Sequence, residues 1–287
     1  EFTTYFLSYS NITWDGIFPT DSDSYDRNTV AMRGSQKIGK RIKLAASVNY
    51  IRKKNSSVPT GQGESSVYNQ IMQTPRDISL LEQKDLSNQF NTIDNHYSLY
   101  TVNPYHILYN NGNENKEDRV YGSLDFDFDL PLNLSAKWRL GVDISNENQE
   151  GHRSSVIPQG NNELASVYDP GMRSRSSISR QQLNSDLILT WAKSYEKFDV
   201  NIMGGHAINE RKSDGFGSVN QSQQIPGFIN FSNSTVSPSS FESSALVRSH
   251  AVYAAADFSY LSMLFLSLSC RNEWSSTLPK ENNSYFF

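Results

Sequence analysis

The chain is poor in the features that mark most enzymes and most helical membrane proteins. Cys270 is the single cysteine among 287 residues, so an internal disulfide framework is excluded. No stretch of 18 consecutive apolar residues occurs, which excludes a membrane-spanning helix. Lys and Arg number 26 against 30 acidic residues, for a formal net charge of −4. The small basic cluster of Lys40, Arg41 and Lys43 at a turn is too slight a footprint for nucleic acid. The chain lacks an initiating Met and a signal-peptide pattern, and it opens on Glu1–Phe2–Thr3–Thr4, already strand-like. The expectation is an internal piece of a longer protein, with any targeting segment outside it.

Catalytic constellations are missing as well. His96, His106, His152, His206 and His250 show no HExxH-type spacing and are expected to be solvated or hydrogen-bonded in loops and polar stretches. No GxSxG nucleophile elbow occurs. Cys270 falls on the apolar face of its strand, where a buried, inert thiol is expected. Neither an enzyme nor a bound metal or cofactor is expected. Asp125, Asp127 and Asp129 repeat every second residue, so their carboxylates line one face. Hard cations take such oxygen ligands. The favoured reading is a polar wall in which Lys137 and Arg139 of the neighbouring strand neutralise the charge.

What the chain does have is alternation. Val120, Leu124, Phe126 and Phe128 are apolar at every second position, with only Gly122 interrupting. After a turn at Leu130–Pro131–Leu132, the pattern resumes with Leu134, Ala136, Trp138, Leu140, Val142 and Ile144. A period of two puts these side chains on one face of a β-ribbon and leaves the other face polar. Such strands run roughly 9–12 residues, against a usual mode of about 5–6, and at a tilt of ~45° that is the length a membrane-spanning strand needs. Mean hydropathy is only −0.57, but a barrel hides from this index because its lumen-facing half is polar.

The ribbon is one of a series. Thr29–Ser35 and Ile42–Tyr50 flank a turn at Lys37–Lys40. Leu183–Trp191 and Phe198–Gly204 flank one around Lys193–Tyr195, and Val247–Phe258 and Leu264–Arg271 flank Ser259–Ser262. With Tyr5–Asn11, nine strands are predicted. Tight turns alternate with long connections at 12–25, 52–118, 150–177 and 213–244, rich in Asn, Ser, Gly and Pro. Long loops argue against an ordinary compact domain and fit an outer-membrane barrel with short periplasmic turns and long external loops. A short helix is predicted over Glu64–Gln73, ending before Pro75. Aromatics cluster beside the tight turns (Phe126, Phe128, Trp191, Phe198, Phe258 and Tyr260), as an interfacial girdle requires. A soluble β-sandwich also alternates, but strand length and loop asymmetry favour the barrel.

The longest connection holds the most binding-like material. Asn103–Pro104–Tyr105 and Tyr109–Asn113 group rings with amides, which suit sugars or peptide backbones. The same residues could serve only to brace the loop through Asn turns.

Near the C-terminal end stands Arg271-Asn272-Glu273-Trp274-Ser275-Ser276-Thr277-Leu278-Pro279-Lys280-Glu281-Asn282-Asn283-Ser284-Tyr285-Phe286. This stretch resembles a long motif of the SusC/RagA family of TonB-dependent outer-membrane transporters. Shorter resemblances follow the family's order: Tyr9–Ser10, Asp15–Ile17, Pro19–Asp21, Arg27–Asn28, Pro75–Ile78, Asn103–Tyr105, Asn110–Asn111 and Asp118–Gly122. Glu273 stands where the family usually has Asp, and the chain stops at Phe287 where the family goes on into another strand.

The resemblance implies an all-β fold, an antiparallel transmembrane barrel of 22 strands with a plug in its lumen. Residues 1–287 would form the middle of the barrel, without signal peptide, plug or closing strands. It also implies TonB-dependent import of oligosaccharides or oligopeptides across the outer membrane of a Gram-negative bacterium, with a SusD-like surface lipoprotein as partner and lipid around the barrel. On this reading Arg76, Asp77, Asn103, Tyr105, Asn110, Asn111, Asn272 and Trp274 are candidate vestibule residues, with loop bracing the alternative for each. Rival readings are a soluble β-rich surface binding or adhesion module and a passive porin.

Overall fold

A computed structural model describes residues 3–63, 66–159 and 168–287. Its frame is one antiparallel sheet in simple sequence order: β1 (Thr3–Trp14), β2 (Ser24–Ile38), β3 (Ile42–Ser57), β4 (Gly112–Asp129), β5 (Leu134–Arg153), β6 (Met172–Ser194), β7 (Phe198–Gln221), β8 (Ser239–Tyr260), β9 (Leu264–Ser275) and β10 (Ser284–Phe286). Among the described residues no helix is long and apolar enough to cross a membrane. The nine predicted strands are all present. The tenth, β10, is three residues long, too short for alternation to reveal.

Most strands run further toward the long loops than the apolar pattern does. On β4 the outward set Phe128, Phe126, Leu124, Gly122 and Val120 gives way to Asp118 and Lys116, yet pairing with β3 and β5 continues to Gly112 and Asn113. Alternation of hydrophobicity stops where lipid stops, whereas the hydrogen-bond ladder goes on as long as a neighbour is present. The tight turns also sit slightly later than the sequence suggested, at 39–41, 195–197 and 261–263. Leu261 and Ser262 both have positive φ (51° and 57°), and the Met263 N–H donates to the Tyr260 carbonyl at 3.0 Å. This is the pattern of a type I′ turn, whose twist matches the flanking strands.

The register keeps the two faces distinct across the sheet. Leu44, Phe126, Trp138 and Leu187 stand side by side on the outer face of β3–β6. About five alternate apolar positions per strand build a band of the height expected for a membrane barrel, roughly 25 Å. Among the described residues nothing covers it: Val120, Trp138 and Ile202 are each about 40% exposed. Cys270 lies on this face and is exposed. The expected buried thiol is thus corrected, because the apolar side of a single barrel wall meets lipid rather than protein. The inner face is more enclosed, with Asn49, Ile51 and Ser145 all under 10% exposed, as the concave side of a curved sheet must be.

Gly122 breaks the apolar run for a steric reason. A Cβ there would collide with the Ser47 carbonyl oxygen on β3, so the close approach of the two strands depends on the missing side chain.

The hydrophobic core proper lies in the long connections. Val58, Val67, Val102, Tyr105, Ile107, Leu108 and Val156 form a buried cluster, with Phe18, Leu86 and Ile93 packed against it. Six of these seven buried residues come from the β3–β4 connection; Val156 comes from the β5–β6 connection, and Phe18 reaches in from the β1–β2 connection. The external loops are therefore a packed unit rather than loose tethers.

Candidate functional site

The outer end of the wall is built around two short helices in the β3–β4 connection. α1 (Val67–Gln73) starts at Ser66, whose hydroxyl accepts from the Asn69 N–H at 3.2 Å, and it ends at Thr74 ahead of Pro75. It fills the C-terminal part of the predicted helix; Glu64 and Ser65 lie outside the described residues. α2 (Pro104–Asn110) is capped by Asn103, with Pro104 in its first turn. Asn-Pro is a helix-start signal, whereas the sequence pattern places this segment in a loop, as binding surface or as brace.

Asn103 is 2% exposed, and its side chain is fully used. Its Oδ1 accepts from the Tyr105 N–H at 2.9 Å, while Nδ2 donates to the carbonyls of Gln83 at 2.8 Å and Asn91 at 3.1 Å. Tyr105 belongs to the core cluster. Asn110 turns back onto its own helix, its Nδ2 donating to the His106 carbonyl at 2.9 Å. Asn111 Oδ1 accepts from the Ser154 N–H at 3.0 Å, which ties the β3–β4 connection to the β5–β6 one. Arg76 and Asp77 are exposed at the surface.

Further bonds stitch the loops together. Asp94 Oδ1 accepts from the Gln159 N–H at 2.7 Å. Gln223, from the β7–β8 connection, donates to the Arg153 carbonyl at 2.9 Å and accepts from the Ser155 N–H at 3.3 Å. At the β1–β2 connection, Gly16 has φ +82° and packs where a Cβ would strike Asp23. The Asp23 carboxylate accepts from the N–H groups of Ile17 (2.8 Å) and Phe18 (3.3 Å), and so holds Phe18 toward the core. Buried His96 contacts Thr101 through its ring Nε2 at 3.3 Å. Burial pushes the His96 imidazole down to about 4 and lowers that of His106 as well, because a charged ring is poorly solvated there.

Asn272 and Trp274 lie elsewhere. On β9 they follow Leu266, Leu268 and Cys270 on the outer, lipid-side face, and the Asn272 amide bonds the Ser284 hydroxyl of β10 at 2.9 Å. They share that face with Tyr9 and Tyr50, whose hydroxyls donate to Asn28 (2.6 Å) and Asp118 (2.5 Å), the first polar groups beyond the apolar band. Beside the tight turns, Phe126 stacks on Trp138 at 5.6 Å, and Phe198 lies 4.7 Å from Tyr260. Aromatic rings thus mark both edges of the band, only one of which sequence reading located.

The inner face is a lattice of cross-strand charges. Asp125 and Arg139 stand opposite each other and pair at 2.7 Å, as do Asp127 and Lys137 at 3.3 Å. This is the neutralised polar wall expected, at Asp125 and Asp127. No group of three or more metal-ligating side chains forms among the described residues. Arg119 pairs with Asp143, Lys53 with Glu117 and Arg180 with Glu147.

No protein-family model matches the chain, and no curated protein is similar to it in sequence. Solved structures do match. The RagAB peptide transporter superposes over 99% of this chain with a TM-score of 0.77 at 16% identity. The ferric-catecholate import receptor Fiu of Escherichia coli K12 matches over 95% at 0.53 and 12% identity, and the siderophore receptor PiuA of Acinetobacter baumannii over 99% at 0.52 and 11%. The chain spans 31% of the matched RagAB chain, 37% of Fiu and 41% of PiuA. Its fold is therefore that of the wall of an outer-membrane β-barrel transporter. The structural likeness to RagAB meets the resemblance carried by the 271–286 motif.

Proposed function

We propose that the chain is part of the barrel of a TonB-dependent importer of the SusC/RagA type in the outer membrane of a Gram-negative bacterium. One observation carries the reading: a ten-stranded sheet with continuous register, apolar outside and ion-paired inside, that follows the RagAB wall over nearly the whole chain. The fused external loops form one side of an outer vestibule, which supports a SusD-like lipoprotein lid as partner. A plug and a TonB-contacting segment would come from the remainder of the parent protein. The cargo is an oligosaccharide or oligopeptide, held by many modest contacts so that it can also be released.

Within this reading the candidate residues divide by role. Arg76 and Asp77 face solvent and are proposed to meet lid or cargo. Asn103, Tyr105, Asn110 and Asn111 shape the wall on which such contacts are displayed. Asn272 and Trp274 set the height of the barrel in the membrane.

The test uses the full-length parent, extracted from outer membranes in mild detergent. Native mass spectrometry should find a co-purifying lipoprotein, and uptake by cells should stop when the proton gradient is collapsed. Recovery from the soluble fraction without detergent would return the chain to a surface binding module. Uptake that survives loss of the gradient would make it a passive porin.

A further inference from the structure

We infer that the inner face carries a carboxylate-binding basin centred on Arg211, which takes an acid group of the imported solute; this rests on the import reading above. Two successive rows of the sheet build it. Tyr121, Asp143, Gln182, Arg211 and Val247 stand opposite one another across β4–β8. One step toward the external loops, Arg119, Ser145, Arg180, Ser213 and Ala245 do the same. All but Tyr121 line an open cavity of about 490 Å³, within the range that holds small ligands.

The charges in this basin are unequal. Arg119 is committed to Asp143 through Nε at 2.8 Å, and Arg180 to Glu147 at 2.7 Å. Glu117, at the rim, is held by Lys53. Arg211 is exposed and has no carboxylate partner among the described residues; its lateral neighbours in the row are Gln182 and Val247. One guanidinium is thus left over in a concave site whose other ions are already paired. Its planar fork matches a carboxylate bidentately. The paired Asp143 and Glu117 carboxylates disfavour a second anion beside the first, so the basin suits a single acid group. Val247 and Ala245 offer an apolar edge for the carbon skeleton that carries it.

The height is also suitable. Glu210 and Lys212 flank Arg211 on the same strand and project to the outer face just past the apolar run of β7, level with Val120, Ile144 and Leu246 at the external border of the apolar band. The basin therefore sits at the external end of the lumen, where a solute arrives before any passage through the membrane.

A carboxylate could come from the solute or from a side chain of a lumen plug, and the experiment separates the two. Calorimetry on the detergent-solubilised full-length parent would use two matched pairs: hepta-alanine and its C-terminal amide, and trigalacturonic acid and its methyl ester. Thermal unfolding of the parent and of Arg211→Gln would be recorded alongside. The expected result is that, in at least one pair, the acid binds at least about tenfold tighter than its neutral counterpart. Arg211→Gln should erase that preference while leaving the unfolding midpoint unchanged. Equal binding of acid and neutral probes, no binding of any probe, or a preference that survives Arg211→Gln would each overturn the basin. A lowered midpoint in Arg211→Gln without acid preference would assign the guanidinium to the plug instead. Gradient-driven uptake without acid preference would sink the basin alone, whereas acid preference without gradient-driven uptake would sink the import reading alone.

Discussion

Trp274 lies flat against His250, with ring centroids 4.7 Å apart and planes 11° from parallel, and the two residues are direct partners in the β8–β9 register. His206 approaches His250 edge-on at 6.0 Å. All three project from the outer face, at the far end of β9 from its tight turn. A stacked ring pair adds about 0.5–1.5 kcal/mol beyond burial alone. Trp274→Ala is therefore expected to lower the stability of the full-length parent in vesicles by about 1–2 kcal/mol, read by urea unfolding, with solute binding unchanged. Lost binding at full stability would place Trp274 in the vestibule instead.

Leu140 and Arg139 are adjacent in sequence and point to opposite faces of β5. Leu140→Arg places a charge near the middle of the apolar band and is expected to cost about 2–4 kcal/mol of folding into vesicles. Arg139→Leu leaves Asp125 in a wet lumen and should cost no more than about 1 kcal/mol, as for exposed ion pairs. Equal costs would contradict a lipid-facing and a water-facing side.

Asn103→Ala removes a cap and strands the buried carbonyl of Gln83 and the half-buried one of Asn91. Such losses cost about 1–3 kcal/mol. Trypsin should then cleave within residues 58–111 faster by roughly tenfold or more, while the strands stay protected. An unchanged cleavage rate together with weakened solute binding would show that Asn103 acts by contact and not by bracing.

The folded loop unit holds His96 as the neutral ring. Its imidazole sits at about 4 in the fold against roughly 6.5 in an unfolded chain. Below 6.5 the unfolded loop takes up a proton that the folded loop refuses, so its stability is complete above about pH 6.5 and declines as pH falls toward 4. His106, lowered by the same cause, adds to the trend. Hydrogen exchange in residues 58–111 should accelerate between pH 6.5 and 4, after correction for intrinsic rates, and His96→Gln should flatten much of that slope. A flat profile in the unaltered protein would contradict the buried neutral ring.

The membrane-spanning half of each strand was legible because lipid on one side and water on the other impose a strict period of two, as Leu134 to Ile144 shows. Asp125 and Asp127 were legible for the same reason, since their partners Arg139 and Lys137 follow from a hairpin register. The loop chemistry was less so. Asn103 and Asn111 have a composition that suits either a sugar- or peptide-binding surface or a loop brace, and only the structure shows their burial and their bonds to Gln83, Asn91 and Ser154. α2 was signalled by Asn103–Pro104, but its amphipathic face is too short for periodicity to speak. The outer girdle escaped notice because His206, His250 and Trp274 come from three strands and meet only when the register sets them side by side.

By itself the sequence determined that this is a two-faced, antiparallel β protein with tight turns at one end and long connections at the other. Those properties follow from local constraints of side-chain alternation and turn chemistry. The tertiary structure alone decided that the long connections share one core through Phe18 and Val156, that Trp274 projects from the outer face, and that Arg211 has no carboxylate partner among the described residues. Each of these depends on contacts between segments distant in sequence, and such contacts are fixed by strand register and loop packing, which no local pattern encodes.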